Sequence, residues 1–490
     1  MRQVRPNEIL SITAAVIALS IISMSRFLGP TNADTILHSL MSTQRLTFYY
    51  WGQDRLANVL ALAGWPVQNV HWNFYVLLLL QAIMFHTLIA LIVVFVSRTV
   101  DPGRSLGSTV FTVLGVSLLV TAMLTPLATH TFMFEQQYAL SLVLFVVGLA
   151  LLVRCSRRWF VIGAILIVSS LVVVPASVLF FPLAAVLGDR WDWRRLAIAA
   201  GTTAAALAFA AMAPSIFFDG EAQTAYRTFS LSLFISGWRD AASNVVDGLR
   251  LAPTIVFLVL SVAILVVRRS EIPTRLRWVL LGAPPFAIAW FCTFTANRWV
   301  TWNLHFPRYY FPVYLTLIVV VSAAAVIAGN WARDVLAART RSFATRPART
   351  ALVGFAVSSA LLVVGVFRLL TDDGIPVIAN AGPAAEDVRD LDVEVVVGDY
   401  WTVWPIVYAS LSRGYQVFGI SPRAEALADE LTDEVERTFV DPGDDIALMC
   451  IGLDEPTCVL DFARFVGGDW EVASTALVNP LVVIVRPAAE

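Results

Sequence analysis

Two carboxylates stand out in the first long polar segment: Asp34 in Asn32-Ala33-Asp34-Thr35, and Asp54 in Phe48-Tyr49-Tyr50-Trp51-Gly52-Gln53-Asp54-Arg55-Leu56-Ala57-Asn58. A carboxylate beside an apolar boundary can take the proton of a hydroxyl nucleophile, and this is the chemistry either Asp would offer. Each also has a plainer reading: a helix cap for Asp34, and a neighbouring charge for Arg55 in the case of Asp54. The second polar segment, Thr131-Phe132-Met133-Phe134-Glu135-Gln136-Gln137, has Glu135 as its one carboxylate. The complementary charge is arginine. Arg308, in His305-Phe306-Pro307-Arg308-Tyr309-Tyr310-Phe311-Pro312, stands at the mouth of a late apolar run. There a guanidinium can grip a phosphate through two parallel bonds while its stem stays at the apolar boundary. The plainer reading is an interfacial anchor in an aromatic belt. Arg298, Arg227 and Arg55 are reserves for the same task.

Those groups must be positioned by a chain that is mostly apolar. Of its 490 residues 58% are hydrophobic and 14% charged, well below the roughly 25% charged of a soluble domain. The net charge of −2 conceals a split. Residues 1–370 hold 28 basic and 13 acidic groups, net +15, whereas 371–490 hold 6 and 23, net −17. All 34 basic residues are Arg. The absence of Lys excludes Schiff-base catalysis and a Walker-type phosphate lysine, which argues against a nucleotide-driven pump. None of the four cysteines forms a CxxC pair or a Cys/His ligand pattern, so thiolate metal chemistry is set aside.

Apolar runs near the length that a bilayer requires, about 20 residues, lie at 9–28, 73–97, 108–127, 138–153, 195–215, 251–267, 278–296, 310–329 and 350–370. A tenth run, 159–188, is interrupted by Pro175. Keeping Arg2 and Arg5, Arg98 and Arg104, Arg154 to Arg158, Arg190 to Arg195, Arg268 to Arg277 and Arg333 to Arg349 on one side requires that run to cross twice, turning near Val174 and Pro175. The expectation is eleven transmembrane helices, with a cytoplasmic N-terminus and the acidic tail outside. No small-residue cleavage site follows the first run, so it is read as a retained helix. The outer loops are then 29–72, 128–137, 216–250 and 297–309. The 216–250 loop is long enough for one or two amphipathic helices lying on the surface. Within the spans, His86 is the clearest titratable group, and a transporter would place more of them there.

After 371, Val393–Val397, Tyr415–Ile420, Ile446–Ile451 and Leu481–Val485 read as strands. Val403–Leu411, Pro422–Glu436 and Val459–Val466 read as helices, and together they predict a small α/β domain. Its Gly398-Asp399-Tyr400-Trp401 turn falls at the C-terminal end of the first strand, where open α/β sheets tend to place ligands. A capping Asp with buried aromatics explains that turn equally well. Cys450 and Cys458 are expected to form a disulfide in an oxidising compartment.

An acid just past the first span, a long first outer loop carrying Tyr50-Trp51-Gly52-Gln53-Asp54-Arg55, a pair of short helices in mid-chain and a soluble outer domain with Gly398-Asp399-Tyr400-Trp401 and Trp404-Pro405 together resemble the GT-C superfamily of polytopic glycosyltransferases. The resemblance implies transfer of a sugar from a polyprenyl-phosphate donor to an envelope glycan, lipid or protein acceptor on the outer face of a bacterial inner membrane, with inversion. It implies Asp34 or Asp54 as the general base and Arg308, Arg55 or Arg298 on the donor phosphate. Glu135, Tyr309, His305, Trp51 and Gln53 become candidates for substrate contact. The lipid bilayer is a partner and nucleic acid is not; no cofactor or structural metal is expected, and a divalent requirement is left open. The alternatives are a non-catalytic GT-C-like scaffold of envelope glycan assembly and, from another class, a lipid or polysaccharide transporter.

Overall fold

The computed structural model describes residues 6–44, 46, 58–101, 106–135, 137–152, 157–181, 193–217, 228–339, 357–366, 375–421, 445–478 and 480–488. Two compact units divide the chain. The first comprises Met1–Phe27, Leu79–Leu207 and Gln223–Asp372; the second comprises Leu28–Leu78, Ala208–Ala222 and Asp373–Glu490.

The protein is mostly helical, and among the described residues five helices are long and apolar enough to cross a membrane: Ile9–Phe27, Val70–Val100, Arg194–Met212, Thr274–Thr295 and Pro307–Arg333. Pro126–Glu135 and Tyr138–Leu152, bent by 53°, make a sixth if taken as one span. Thr109–Met123, Leu251–Val267 and Val357–Val366 are apolar but shorter. This is a multi-pass membrane protein, and against the expectation of eleven crossings the described residues provide five or six of full length. The helix Leu251–Val267 leaves Ile255, Val256, Val259, Leu260 and Val262 uncovered among the described residues, an apolar surface suited to contact with lipid.

The first unit shows how helices associate where lipid removes the hydrophobic drive between them. The helices Tyr138–Leu152 and Arg157–Val173 pack through small residues: a Cβ on Gly148 or Gly163 would fall 2.9 or 2.7 Å from the other's carbonyl oxygen. Beside that contact the Ser141 hydroxyl lies 2.9 Å from that of Ser170 and 2.7 Å from that of Ser177. The helix ends at Val173, and a 3-10 turn, Pro175–Phe180, follows. Pro175 has no N–H to continue the ladder, which explains the break at the place the sequence predicts. Residues 182–192, where a second short crossing would continue, lie outside the described residues.

In the second unit, a five-stranded sheet has the order β2-β1-β3-β5-β4, with β1 Val395–Gly398, β2 Phe418–Ile420, β3 Ile446–Ile451, β4 Trp470–Val478 and β5 Leu481–Pro487. β2, β1 and β3 run parallel, and β5 and β4 close the edge antiparallel. Each residue of β1 is buried, as expected of a central parallel strand covered on both faces. The sequence did not predict β4. Its exposed Glu471, Ser474 and Thr475 interrupt any apolar run, and two register shifts mark it as an irregular edge. The expected helix 422–436 lies outside the described residues.

Cys450 on β3 and Cys458 on the helix Glu455–Val466 are joined in a disulfide, with both side chains buried. Exchanging both for Ser is expected to lower the stability of this unit by about 2 kcal/mol, the loop-closure contribution for so short a loop. The measurement is the shift in denaturation midpoint, and reductant added to the wild type should reproduce it.

Candidate functional site

The first apolar helix ends at Phe27, and six residues later the helix Ala33–Thr43 begins. Asn32 caps it: its Oδ1 accepts from the Thr35 backbone N–H at 3.3 Å. The cap therefore falls to Asn32, and Asp34 stands in the first helical turn with a half-buried side chain. There the helix dipole favours the ionised carboxylate. Its neighbours Ala33, Thr35, Ile36, Leu37 and His38 are buried, so the helix is held firmly around it.

A partner arrives from the far end of the sequence. Tyr400 donates its hydroxyl to Asp34 Oδ1 at 2.7 Å. Tyr400 is the first residue of the helix Tyr400–Ser412, capped by Asp399, whose Oδ2 accepts from the Trp401 N–H at 2.9 Å. The chain reaches this corner through Gly398 at φ +153°, where a Cβ would collide with the Ile451 carbonyl oxygen on the paired strand. Two further contacts tie the same segments. Gln44 Nε2 donates to the Val417 carbonyl at 2.9 Å, and the Phe74 and Tyr408 rings meet with centroids 5.3 Å apart. Burial pushes the Tyr408 hydroxyl far above its ordinary pKa, so it stays neutral across the working range. Thus the Asn32-Ala33-Asp34-Thr35 and Gly398-Asp399-Tyr400-Trp401 motifs, read separately in the sequence, meet in one compact unit.

Arg308 belongs to the first unit, in the 3-10 turn Pro307–Tyr310. Asn303 donates its Nδ2 to the Trp299 carbonyl at 2.8 Å, which turns its Oδ1 toward Arg308 Nη2 at 3.3 Å. Nη2 also donates to the Tyr309 hydroxyl at 3.1 Å. The guanidinium lies 5.5 Å from the Phe306 ring centre and 5.1 Å from that of Tyr309, an arrangement that orients its plane and leaves it half-buried. Trp290 Nε1 donates to the Tyr309 carbonyl at 2.9 Å and fixes that turn from below. Arg298 is exposed, its guanidinium 5.0 Å from the Trp302 ring centre.

His305 is only 3% exposed and is used in packing. Its Nδ1 lies 3.1 Å from the Tyr310 hydroxyl, and Leu304 and His305 both adopt left-handed backbone, φ 52° and 51°. Burial holds the imidazole below its ordinary pKa, partly offset by the charge of Asp240. The ring fills the space over Gly237, where any Cβ would strike it. Gly237→Val is expected to cost about 2 kcal/mol by overpacking. His305→Ala in the same chain should recover most of that loss, as an apparent melting temperature would show.

Glu135 is 4% exposed and closes a single π turn, Thr131–Glu135. Its Oε1 lies 3.9 Å from Nε2 of His130. His130 Nδ1 donates to the Phe27 carbonyl at 2.6 Å, since a carbonyl can only accept. A spacing of five residues does not bring side chains together on an α-helix; on a π turn it does, and such turns recur at functional sites. Sequence reasoning missed His130 for that reason. His86, singled out in the sequence, has its Nε2 2.9 Å from the Ser23 hydroxyl.

Asp54, Arg55, Trp51, Gln53 and Arg227 lie outside the described residues. Among the described residues, no three His, Cys, Asp or Glu side chains cluster to hold a metal ion. No family model and no curated protein matches the chain. Among solved structures it is similar to the crystal structure of ArnT from Cupriavidus metallidurans in the apo state, over 97% of this chain and 97% of that one, with 14% sequence identity and a TM-score of 0.43.

Proposed function

We propose that this chain is an inverting glycosyltransferase of the GT-C type, working at the outer face of a bacterial inner membrane. The observation that carries the reading is the setting of Asp34, a half-buried carboxylate in a helical first turn just past the first apolar helix, held by the Tyr400 hydroxyl. In this reading the membrane body crosses eleven times and 371–490 is extracytoplasmic, joined by the first outer loop. The donor is a polyprenyl-phosphate sugar and the acceptor an envelope glycan, lipid or protein.

Asp34 takes the proton of the acceptor hydroxyl as its oxygen bonds to the anomeric carbon, and the bond from that carbon to the phosphate oxygen breaks. The electron pair leaves with the polyprenyl phosphate, whose growing charge Arg308 receives through its planar fork. Tyr309 completes the phosphate grip, and Asp54 is the alternative base. The test is transfer of radiolabelled sugar from a panel of polyprenyl-phosphate sugars to total membrane acceptors, using purified protein in nanodiscs. Transfer by the wild type supports the reading. A wild type that neither turns over nor binds any donor in the panel overturns it in favour of the scaffold.

A further inference from the structure

The tail meets Asp34 through the Tyr400 hydroxyl, and the residues on either side of Tyr400 place that group. Gly398 lets the strand turn where no side chain fits, Asp399 caps the helix that starts at Tyr400, and Tyr400 itself is 7% exposed. A tyrosine needed only as an apolar plug would be replaced equally well by phenylalanine. Here the hydroxyl instead reaches a carboxylate oxygen at 2.7 Å, the length of a strong bond to an anion.

We propose that Tyr400 is the positioning residue of Asp34: it fixes the rotation of the carboxylate and holds it in the anionic form, so that the tail domain is an integral part of the site. This rests on the reading of Asp34 as the general base. A hydrogen bond donated to a carboxylate stabilises its charged form, so the Tyr400 hydroxyl keeps Asp34 ready to accept a proton at a lower pH than it otherwise would. It also turns the carboxylate in one direction, as the substrate hydroxyl requires. The other titratable groups on the packed elements are His38 on the helix of Asp34, Asp399 and Tyr408 on the side of Tyr400, and His71 and Tyr75 on the helix Val70–Val100. A difference between wild type and Tyr400→Phe cancels their contributions, because Phe retains the ring and removes only the hydroxyl.

The experiment uses the full chain in nanodiscs. Carbodiimide with glycine ethyl ester labels protonated carboxyls, and peptide mass spectrometry reads the labelling of Asp34 against pH in wild type and Tyr400→Phe, with Asp34→Asn as the blank. The expected result is a labelling midpoint raised by roughly one pH unit in Tyr400→Phe, with an unchanged apparent melting temperature. Coincident midpoints in two equally folded proteins would overturn the proposal. Where a donor is turned over, the acidic limb of kcat/KM should move by the same amount and the alkaline plateau should persist. If the wild type neither transfers sugar from nor binds any donor in the panel, the glycosyltransferase reading fails on that arm, whereas the labelling arm still decides whether Tyr400 governs Asp34.

Discussion

Asp34→Asn is expected to lower sugar transfer by about a thousandfold while leaving the protein folded. General base catalysis contributes roughly 10² to 10⁴, and the upper half of that range applies where the base is held in one orientation. Asn has nearly the same shape, and its amide oxygen can still accept from the Tyr400 hydroxyl, so the helix Ala33–Thr43 and its cap at Asn32 should be undisturbed. The loss should fall on kcat, with donor affinity retained, because the carboxylate acts on the acceptor proton as the transition state forms. Single-turnover transfer alongside donor binding separates the two. Should Asp34→Asn transfer like the wild type while Asp54→Asn does not, the base is Asp54.

Arg308→Ala is the second large effect, a fall of about a hundredfold in kcat/KM, in line with roughly 1.5–3 kcal/mol for hydrogen bonds to a charged group. Charge alone is not the whole of it. Asn303 and the Tyr309 hydroxyl hold one end of the fork, and the Phe306 and Tyr309 rings set its plane. Lys supplies a point charge without that fork, so Arg308→Lys should recover only part of the loss. An interfacial anchor would behave differently: Lys would serve as well as Arg, and even Ala would change membrane insertion more than turnover. Measuring kcat/KM for both variants at matched insertion distinguishes these outcomes.

What was legible in the sequence tracks the range of the interactions involved. The break at Pro175 is local, since a missing N–H ends a helix wherever it occurs. The polar start of the helix Ala33–Thr43 was visible too, though the sequence offered Asp34 as the cap and the structure gives that task to Asn32. The Glu135–His130 pair was hidden because a five-residue spacing looks wrong for a helix until the backbone widens into a π turn. β4 was hidden because an exposed edge strand mixes polar and apolar residues and has no long apolar run to mark it. The bond from Tyr400 to Asp34 could not be read at all: nothing in either motif names a partner at the other end of the chain.

That bond joins residues 366 positions apart, and the compact unit containing it opens at Leu28 and closes at Glu490. On a ribosome adding roughly 5 to 20 residues per second, Asp34 waits about 20 to 70 s before Tyr400 is even synthesised. During that interval the nascent chain carries its candidate base without its hydroxyl partner, and central strand β1 cannot acquire its neighbour β3 until Ile446–Ile451 has followed. A chain that terminates early would therefore insert helices into the bilayer yet lack the contact that orients its carboxylate.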